Sequence, residues 1–407
     1  MQEKEYSDKS LCTGCGACAA ICPSKCINFG EDEEGFEQPV INRAECVQCG
    51  LCDAVCILGK KEVEGVADKE QQAWAGVSKD YENWLTSTSG GAFAEICNAV
   101  NELANGTEVM YCGATINGVK TFHYCTKQLE EIEKFKKSKY VQSNIGNCYS
   151  EIKEELQKGG YVVFSGTPCQ VYGLRRFLGK NYEKLFCIDL ICHGVGSPGV
   201  FERCLKEMGQ IYGKGICGYM FRYKKPMMGS FARYNSRYFF EDGSKKDVYL
   251  DMYNRLFLNQ VCLRLSCGEN CKFRNGNRQG DITLGDFNFK EKVLPELDDY
   301  RNYSTLVLNN AHGTSVMPYL QKRMDLHSVS MNAIYVYNPL FYKTTEGNAE
   351  NRRLFFDEYK ENVSVKYLAK KYGIKKPSLV KRVRNMLPYR CKWIGYRVIR
   401  RFKNVSQ

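Results

Sequence analysis

The sequence lacks any long apolar run. No stretch approaches the roughly 18 consecutive apolar residues at which a membrane-spanning helix is expected. The first residues, Met1 to Asp8, also lack the apolar core and small-residue cleavage site of a secretory signal. We therefore expect a cytosolic chain with reduced thiols, peripheral to a membrane at most.

Acidic residues are missing from the last part of the chain. Residues 362–407 contain 14 Lys or Arg and no Asp or Glu, whereas the first sixty residues contain ten acidic and five basic residues. Because the positive charge is concentrated in this tail, no nucleic-acid-binding surface over the whole molecule is expected. Residues 378–402 alternate basic and apolar side chains. Such a segment suits either an anionic membrane surface or packing on an acidic part of the protein.

Cysteine, by contrast, is abundant and unevenly placed. The chain has 22 Cys among 407 residues, and nine of them fall in the first sixty. Disulfide scaffolds belong to small secreted domains, so metal binding is favoured. Two runs, from Cys12 to Cys22 and from Cys46 to Cys56, each match C-x2-C-x2-C-x3-C, a spacing typical of two 4Fe-4S clusters. The alternative interpretation is a pair of zinc knuckles.

In this spacing the fourth Cys of each run ligates the other cluster. Ile57 follows the second run where Pro23 follows the first, but proline supplies no ligand. Cys26 lies outside both runs, and we predict a buried thiol there. The predicted ligands are Cys12, Cys15, Cys18 and Cys56 for the first cluster, and Cys46, Cys49, Cys52 and Cys22 for the second.

The rest of the chain alternates helical and strand patterns, which predicts an α/β domain with at least partly parallel strands. A hairpin turn is expected within the acidic stretch Phe29 to Phe36, and an antiparallel hairpin around Asp242-Gly243. We predict four segments: an α+β ferredoxin-like module at 1–62, a linker at 63–84, the α/β domain at 85–345, and a basic helical tail at 346–407.

Five phrases beyond the ferredoxin module resemble, in the same order, the coenzyme F-420 hydrogenase/dehydrogenase beta-subunit family. They span about residues 85–315. The resemblance implies that the α/β domain binds FAD and carries electrons between iron-sulfur clusters, flavin and often a deazaflavin. The phrases are Ser87-Thr-Ser-Gly-Gly-Ala-Phe93, Lys137-Ser-Lys-Tyr-Val-Gln-Ser143, Phe164-Ser-Gly-Thr-Pro-Cys-Gln170, Asp189-Leu-Ile-Cys-His-Gly-Val-Gly-Ser-Pro198 and Arg278-Gln-Gly-Asp-Ile-Thr-Leu-Gly-Asp-Phe287.

Each phrase also has a purely structural interpretation. Hydroxyls and glycines before the helix at 92–103 suit a flavin pyrophosphate or a simple helix cap. His193 suits a hydrogen bond to flavin or to the protein itself, and Arg222 and Lys224 suit a clamp for an anion. Asp281 and Asp286 suit a ribityl hydroxyl or an ion pair. The resemblance implies cofactor contacts at Ser89, Gly90, Gly91, Lys139, Tyr140, Gln142, Ser143, His193, Arg278, Asp281 and Asp286.

Four further cysteines suggest a third cluster. Cys169 and Cys192 each follow a predicted buried strand, so both thiols are expected at strand C-termini, where α/β folds place their sites. Cys267 and Cys271 form a C-x3-C pair in a polar loop. We predict a third 4Fe-4S cluster on these four thiols. Buried core thiols together with a zinc or redox pair are the alternative.

Together these features predict an iron-sulfur flavoprotein oxidoreductase. Electrons from a ferredoxin-type partner would pass through the clusters and FAD to an organic or deazaflavin substrate. The resemblance includes bacterial members that occur with surface-polysaccharide biosynthesis proteins. The alternative is a non-catalytic electron-transfer subunit that serves a partner enzyme.

Overall fold

The computed structural model describes residues 11–60, 63–68, 70–224, 235–297, 299–344 and 348–376. Its strands are β1 (Ile27–Glu31), β2 (Glu37–Ile41), β3 (Gln72–Ser78), β4 (Val109–Asn117), β5 (Lys120–Thr126), β6 (Tyr161–Ser165), β7 (Leu185–Leu190), β8 (Ile216–Met220), β9 (Asn235–Phe240), β10 (Lys245–Tyr249), β11 (Ile282–Phe287), β12 (Tyr303–Leu308) and β13 (Met324–Val329). Its helices are α1 (Ala17–Ile21), α2 (Leu51–Val55), α3 (Tyr81–Thr86), α4 (Ala92–Leu103), α5 (Cys148–Gln157), α6 (Pro168–Leu178), α7 (Pro198–Tyr212), α8 (Met252–Leu258), α9 (Lys290–Val293), α10 (Ala311–Thr314), α11 (Met317–Arg323), α12 (Met331–Tyr337), α13 (Ala349–Lys360) and α14 (Val365–Lys371).

An eight-stranded mixed sheet organises the chain, in the order β13-β3-β12-β11-β7-β6-β4-β5. The four strands β4, β6, β7 and β11 pair in parallel, and the outer pairs are antiparallel. Helices α4 and α11 pack on one face, while α5 and α6 cover the other. Strand β7 is apolar almost throughout because both of its faces are buried. The predicted α/β domain with partly parallel strands is confirmed.

The stretch 63–84 is more than a linker. It contains β3, an interior strand paired with β12 on one side and β13 on the other, followed by α3. The linker prediction is therefore wrong for residues 72–84. The strand is short and lies between two polar segments, so composition averaged over the stretch hid its alternating apolar residues.

The cysteine-rich module rests on one face of the large sheet. Its antiparallel hairpin β1–β2 encloses the predicted acidic turn, and a short helix lies within each Cys run. Ala17 of α1 and Val55 of α2 are buried in the same apolar core as α5 and α6. The module therefore shares a core with the α/β domain.

A smaller sheet, β10-β9-β8, packs with α7, α8, α13 and α14 around a second core rich in aromatic residues. The predicted hairpin around Asp242-Gly243 is its β9–β10 turn. Helix α13 contacts the acidic hairpin, where Arg352 forms an ion pair with Glu34 and its Nη1 lies 3.1 Å from Oε1. The first part of the basic tail thus packs on the protein, whereas segment 378–402 lies outside the described residues. Within those residues, no helix has both the length and the apolarity to span a bilayer.

A buried ion pair joins β7 to the segment that leads into β11. Arg278 Nη2 lies 2.9 Å from Asp189 Oδ1, and both side chains are at most 1% exposed. The second carboxylate oxygen of Asp189 accepts the backbone N–H groups of Gln279 and Gly280, each at 3.1 Å. Removing one member of such a pair leaves the other charge buried without compensation.

We expect Asp189→Asn to lower the free energy of unfolding by about 3–5 kcal/mol, because the Arg278 charge stays buried without its counter-ion. Anaerobic chemical denaturation measures this change. Asp357→Asn is the matched control, since Asp357 pairs with Arg353 on the exposed face of α13. Equal effects of the two substitutions would contradict the importance of the buried pair.

Candidate iron-sulfur centres

Four thiols from both Cys runs surround one space, and we call Cys12, Cys15, Cys18 and Cys56 the first thiol set. Cys56 comes from the second run, so the exchange of the fourth Cys between runs is visible in the fold. Backbone N–H groups point at these sulfurs, with Gly14 N 3.3 Å from Cys12 Sγ and Leu58 N 3.5 Å from Cys56 Sγ. Burial raises the pKa of the Cys15 thiol to about 11 in the absence of metal.

The remaining thiols of the two runs, Cys22, Cys46, Cys49 and Cys52, form the second thiol set, which lies nearer the surface. Cys49 is exposed, and Val47 close to it in the same loop is 64% exposed. Cys26 is buried, as predicted, and its Sγ lies 3.4 Å from Cys22 Sγ and hydrogen-bonds with Cys46. This set therefore has a fifth thiol next to it.

A second enclosed space lies between the ends of the parallel strands and the loop after α8. Its walls include Cys169, Cys192, Cys267 and Cys271, the third thiol set. Burial and the neighbouring Cys192 thiol hold the pKa of Cys169 well above its usual value. Within the described residues, no three His, Cys, Asp or Glu side chains converge on a single metal-ion position. A 4Fe-4S cubane differs from one ion, because its four iron corners require thiols around a volume.

The first and third thiol sets are direct neighbours. Thr13 lines both spaces. Ile57, which follows Cys56, packs in one small apolar cluster with Tyr172 and Phe273, and Cys169 and Cys271 contact that cluster. The two spaces are thus separated by single side chains.

Helix α6 approaches the first thiol set at a glycine. A Cβ atom on Gly173 would lie 3.1 Å from Cys15 Sγ and 3.1 Å from Tyr149 Oη. Tyr149 Oη itself donates a 2.8 Å hydrogen bond to the Cys15 carbonyl. The sequence did contain a signal for this contact, because glycine inside a helical pattern costs stability and usually marks close packing.

Arg264 holds the first Cys loop in place, and the sequence did not indicate this role. Its guanidinium is 2% exposed and donates to the carbonyl of Cys12 at 2.5 Å, to the carbonyl of Glu37 at 2.9 Å and to Gln142 Oε1. Ser266 Oγ donates a second bond to the Cys12 carbonyl at 3.0 Å. Gln142, predicted to contact flavin, thus lies at the junction of the module and the α/β domain.

The glycine loop before α4 uses its polar groups within the protein. Ser89 Oγ donates to the Tyr303 carbonyl at 2.5 Å, and Gly90 N donates to Ser304 Oγ at 2.9 Å. Gly91 caps α4 with a φ of 88°. Gly91 at the N-cap fits the helix-cap interpretation, although no side chain caps α4. The hydroxyl of Ser89 and the amide of Gly90 bond to β12 rather than being directed at a ligand.

Several predicted flavin residues meet on the other side of this loop. Tyr140 stacks on Phe257 with ring centroids 4.5 Å apart, and Arg222 Nη1 donates to Asp286 Oδ2 at 2.7 Å and to Tyr140 Oη at 3.3 Å. The His193 ring lies 5.1 Å from Phe257. Among the residues that the structure describes, the buried atoms Arg222 Nε and His193 Nε2 have no hydrogen-bond partner.

Two lysines near this site, buried Lys224 and partly buried Lys139, bind backbone carbonyls instead. Lys224 Nζ donates to Trp84 O at 2.6 Å and to Ser89 O at 2.7 Å. Lys139 Nζ donates to three carbonyls at the end of the 3₁₀ helix Leu129–Lys134, and burial lowers its pKa to about 7. Burial also holds the pKa of Lys224 well below its usual value, so neither lysine is arranged as a phosphate clamp.

The remaining predicted cofactor residues form internal contacts elsewhere. Both carboxylate oxygens of Asp281 accept hydrogen bonds from Arg175 Nη2 at 3.0 Å, and Arg278 pairs with Asp189 as described above. Asp281 and Asp286 thus both form ion pairs, which is the structural interpretation of these residues, and their partners are Arg175 and Arg222 rather than Arg278. Arg175 lies on α6 and Arg222 follows β8, so the packing of these elements against the large sheet decides the pairing.

Comparison with known proteins identifies two regions. Residues 160–333 match the family described as the C terminus of the coenzyme F420 hydrogenase/dehydrogenase beta subunit, and residues 11–59 match the 4Fe-4S dicluster domain. Residues 160–333 are thus similar to the F420 hydrogenase/dehydrogenase beta-subunit family. The third thiol set falls within this family region, and the first and second sets fall within the dicluster domain. Iron-sulfur electron transfer of an oxidoreductase type is therefore the activity to which the chain is related.

One solved structure similar to this chain belongs to the F420-reducing NiFe hydrogenase complex from Methanosarcina barkeri. It shares 14% sequence identity, covers 78% of this chain and 99% of that chain, and gives a TM-score of 0.42. A comparison with curated proteins gave no match.

We expect Gly173→Ala to reduce the iron that the dicluster domain retains, because the added Cβ crowds Cys15 Sγ. The same substitution favours helix formation by about 1 kcal/mol, so the fold itself should persist. Iron per chain and visible absorbance after anaerobic purification measure the loss. Gly59→Ala is the matched control, since no heavy atom lies within 4 Å of the position its Cβ would take. Full iron retention in Gly173→Ala would contradict the crowding.

The buried side chain of His123 should make the stability of the fold depend on pH. His123 Nε2 hydrogen-bonds to Ser165 O at 3.1 Å, and its Nδ1 lies 3.0 Å from Ser143 Oγ, which Gln170 Nε2 contacts at 3.0 Å. These contacts provide hydrogen-bond partners for both ring nitrogens of a neutral imidazole. Ser143, which was predicted to contact flavin, is one of those partners. Burial lowers the pKa of His123 from 6.5 to about 4.

Because the unfolded chain binds this proton more readily, stability is lost as pH falls from about 6.5 towards about 4. The shift corresponds to about 2 kcal/mol between pH 7 and pH 5. His123→Gln should remove that difference from anaerobic denaturation curves recorded at the two pH values. An unchanged pH dependence in the variant would show that His123 is not the titrating group.

Proposed function

We propose that this protein is an iron-sulfur oxidoreductase in which three 4Fe-4S clusters relay electrons from a ferredoxin-type donor into the α/β domain. The second thiol set, at the surface, would hold the entry cluster, the first set the middle cluster, and the third set the inner cluster. A bound flavin would then pass electrons to an organic or deazaflavin substrate.

The observation that carries this proposal is the arrangement of the first and third thiol sets. Cysteines from distant parts of the chain come together around two spaces that share Thr13. Backbone N–H groups already point at the sulfurs, as with Val195 N at 3.5 Å from Cys267 Sγ. Such hydrogen bonds and the buried setting are the features by which proteins tune cluster potentials. The donor set therefore fits 4Fe-4S clusters.

The flavin site is supported by a different observation. Arg222 Nε and His193 Nε2 are buried polar atoms without partners in the part of the chain that the structure describes. His193 follows Cys192 of the third set, so a ring bound at these atoms would lie close to the inner cluster. When bound, a flavin would exchange single electrons with clusters and electron pairs with substrate. Arg222 and His193 would orient it, while Tyr140 and Asp286 hold Arg222.

The phosphate end of the cofactor fits less well at the glycine loop. Ser89 and Gly90 already bond to Tyr303 and Ser304, and Lys224 is bound to carbonyls. Because these groups are already engaged, the second candidate function is a non-catalytic subunit that delivers electrons directly to a partner enzyme. A setting in surface-polysaccharide biosynthesis stays a prediction from the resemblance alone.

Anaerobic purification of the full chain distinguishes these functions. Three clusters predict about twelve irons per chain, and two clusters predict about eight. We expect Cys169→Ser to remove about four irons, because the variant lacks one ligand of the inner cluster, while the electron paramagnetic resonance of the dicluster domain persists. Cys97→Ser is the matched control, a fully buried thiol outside all three sets.

Flavin content decides between the two candidates. One flavin per chain, lost in Arg222→Leu with iron unchanged, supports the oxidoreductase with a bound substrate. Twelve irons without flavin support the electron-transfer subunit. Eight irons in both the natural chain and Cys169→Ser would contradict the three-cluster relay.

A further inference from the structure

Three thiols outside the cluster sites meet in the core of the α/β domain. Cys112 on β4 and Cys125 on β5 face each other directly across the antiparallel pair, and their Sγ atoms are 2.7 Å apart. Cys148, the first residue of α5, hydrogen-bonds with Cys125. We call these three residues the thiol triad. None of them belongs to the three sets assigned to iron.

The triad is accessible from one side only. Cys112 is 1% exposed and Cys148 is 3% exposed, whereas Cys125 is only partly buried. A small reagent therefore reaches Cys125 first, and the other two thiols are then its nearest reaction partners. This order of access is what a stepwise exchange requires.

We propose that Cys112 and Cys125 form a reversible dithiol/disulfide couple, with Cys148 as a second partner for Cys125. Residues directly opposite each other in an antiparallel pair have Cα atoms about 4.5 or 5.5 Å apart. Disulfides form at Cα separations of about 4.4–6.8 Å, so the register of β4 and β5 allows the bond without moving the backbone.

The oxidant is a small-molecule disulfide. The Cys125 thiolate attacks one sulfur of that disulfide, which forms a mixed disulfide and releases one small thiol. The Cys112 sulfur then attacks Cys125 Sγ, which forms the internal S–S bond and releases the second small thiol. The protein loses two S–H bonds, two protons and two electrons, and the small disulfide gains them. Burial raises the pKa of Cys112, and the hydrogen bond with Cys112 raises the pKa of Cys125, so exchange at neutral pH is slow.

The position of the triad connects it with the first thiol set. Tyr149 directly follows Cys148 on α5 and donates to the Cys15 carbonyl at 2.8 Å and to the Gln170 carbonyl at 2.7 Å. A disulfide between Cys125 and Cys148 would therefore form at the start of α5, the helix whose Tyr149 supports the Cys15 loop. The couple itself does not depend on whether iron or flavin binds.

The test uses the full chain, purified anaerobically and incubated for a long period with oxidised glutathione. Free thiols are then alkylated under denaturing conditions, and tryptic peptides are analysed by mass spectrometry. We expect Cys112 and Cys125 to become protected from alkylation, in addition to Cys217, and a linked peptide to join Cys112 to Cys125. Dithiothreitol should reverse both changes. Fragmentation is needed to separate Cys112 from Cys97, because no Lys or Arg lies between them. Exposed Cys217 reports that the reagent has reacted.

Three variants distinguish specific oxidation of the thiol triad from non-specific oxidation of other thiols. Cys112→Ser should move the link to Cys125–Cys148, Cys125→Ser should abolish both links, and Cys97→Ser should leave the natural link intact. The proposal is overturned if the three thiols stay alkylatable after Cys217 has reacted, or if Cys125 ends as a stable glutathione adduct in the natural chain.

Discussion

The guanidinium of Arg264 joins the cysteine-rich module to the rest of the molecule. It is buried and permanently charged, so its donors need acceptors within the fold. Those acceptors are the carbonyls of Cys12 and Glu37 and the side chain of Gln142. One residue therefore fixes the first Cys loop, the hairpin and the α/β domain relative to one another. The contact between the first and third thiol sets depends on that placement.

Charge complementarity supports the same docking from the other side of the module. The hairpin carries Glu34 and Glu37, which bind Arg352 of α13 and Asn144 of the α/β domain. Ser197, which caps α7, donates to the Glu34 carbonyl at 2.6 Å. The module is thus held along its hairpin and first loop, while Cys49 stays exposed. The second thiol set therefore lies nearer the surface than the first and third sets.

Sequence reasoning succeeded where a short spacing sets the chemistry. The spacing of the two Cys runs predicts which thiols share a cluster, because three ligands come from one local loop and the fourth from the other run. The fold does bring Cys12, Cys15, Cys18 and Cys56 around one space. The third set was also predicted, because strand C-termini of a parallel sheet share an edge and bring Cys169 and Cys192 together. The same reasoning failed for 72–84, where a short strand between polar residues resembles a linker.

The sequence by itself determined the ligand runs, the α/β rhythm and the acidic and basic ends of the chain, since each depends on residues close together in the chain. Only the tertiary structure decided which arginine meets which carboxylate, that Gly173 meets Cys15, and that Cys112, Cys125 and Cys148 converge. Those contacts join residues on different strands and helices. Their partners are chosen by strand register and helix packing, which no local spacing encodes.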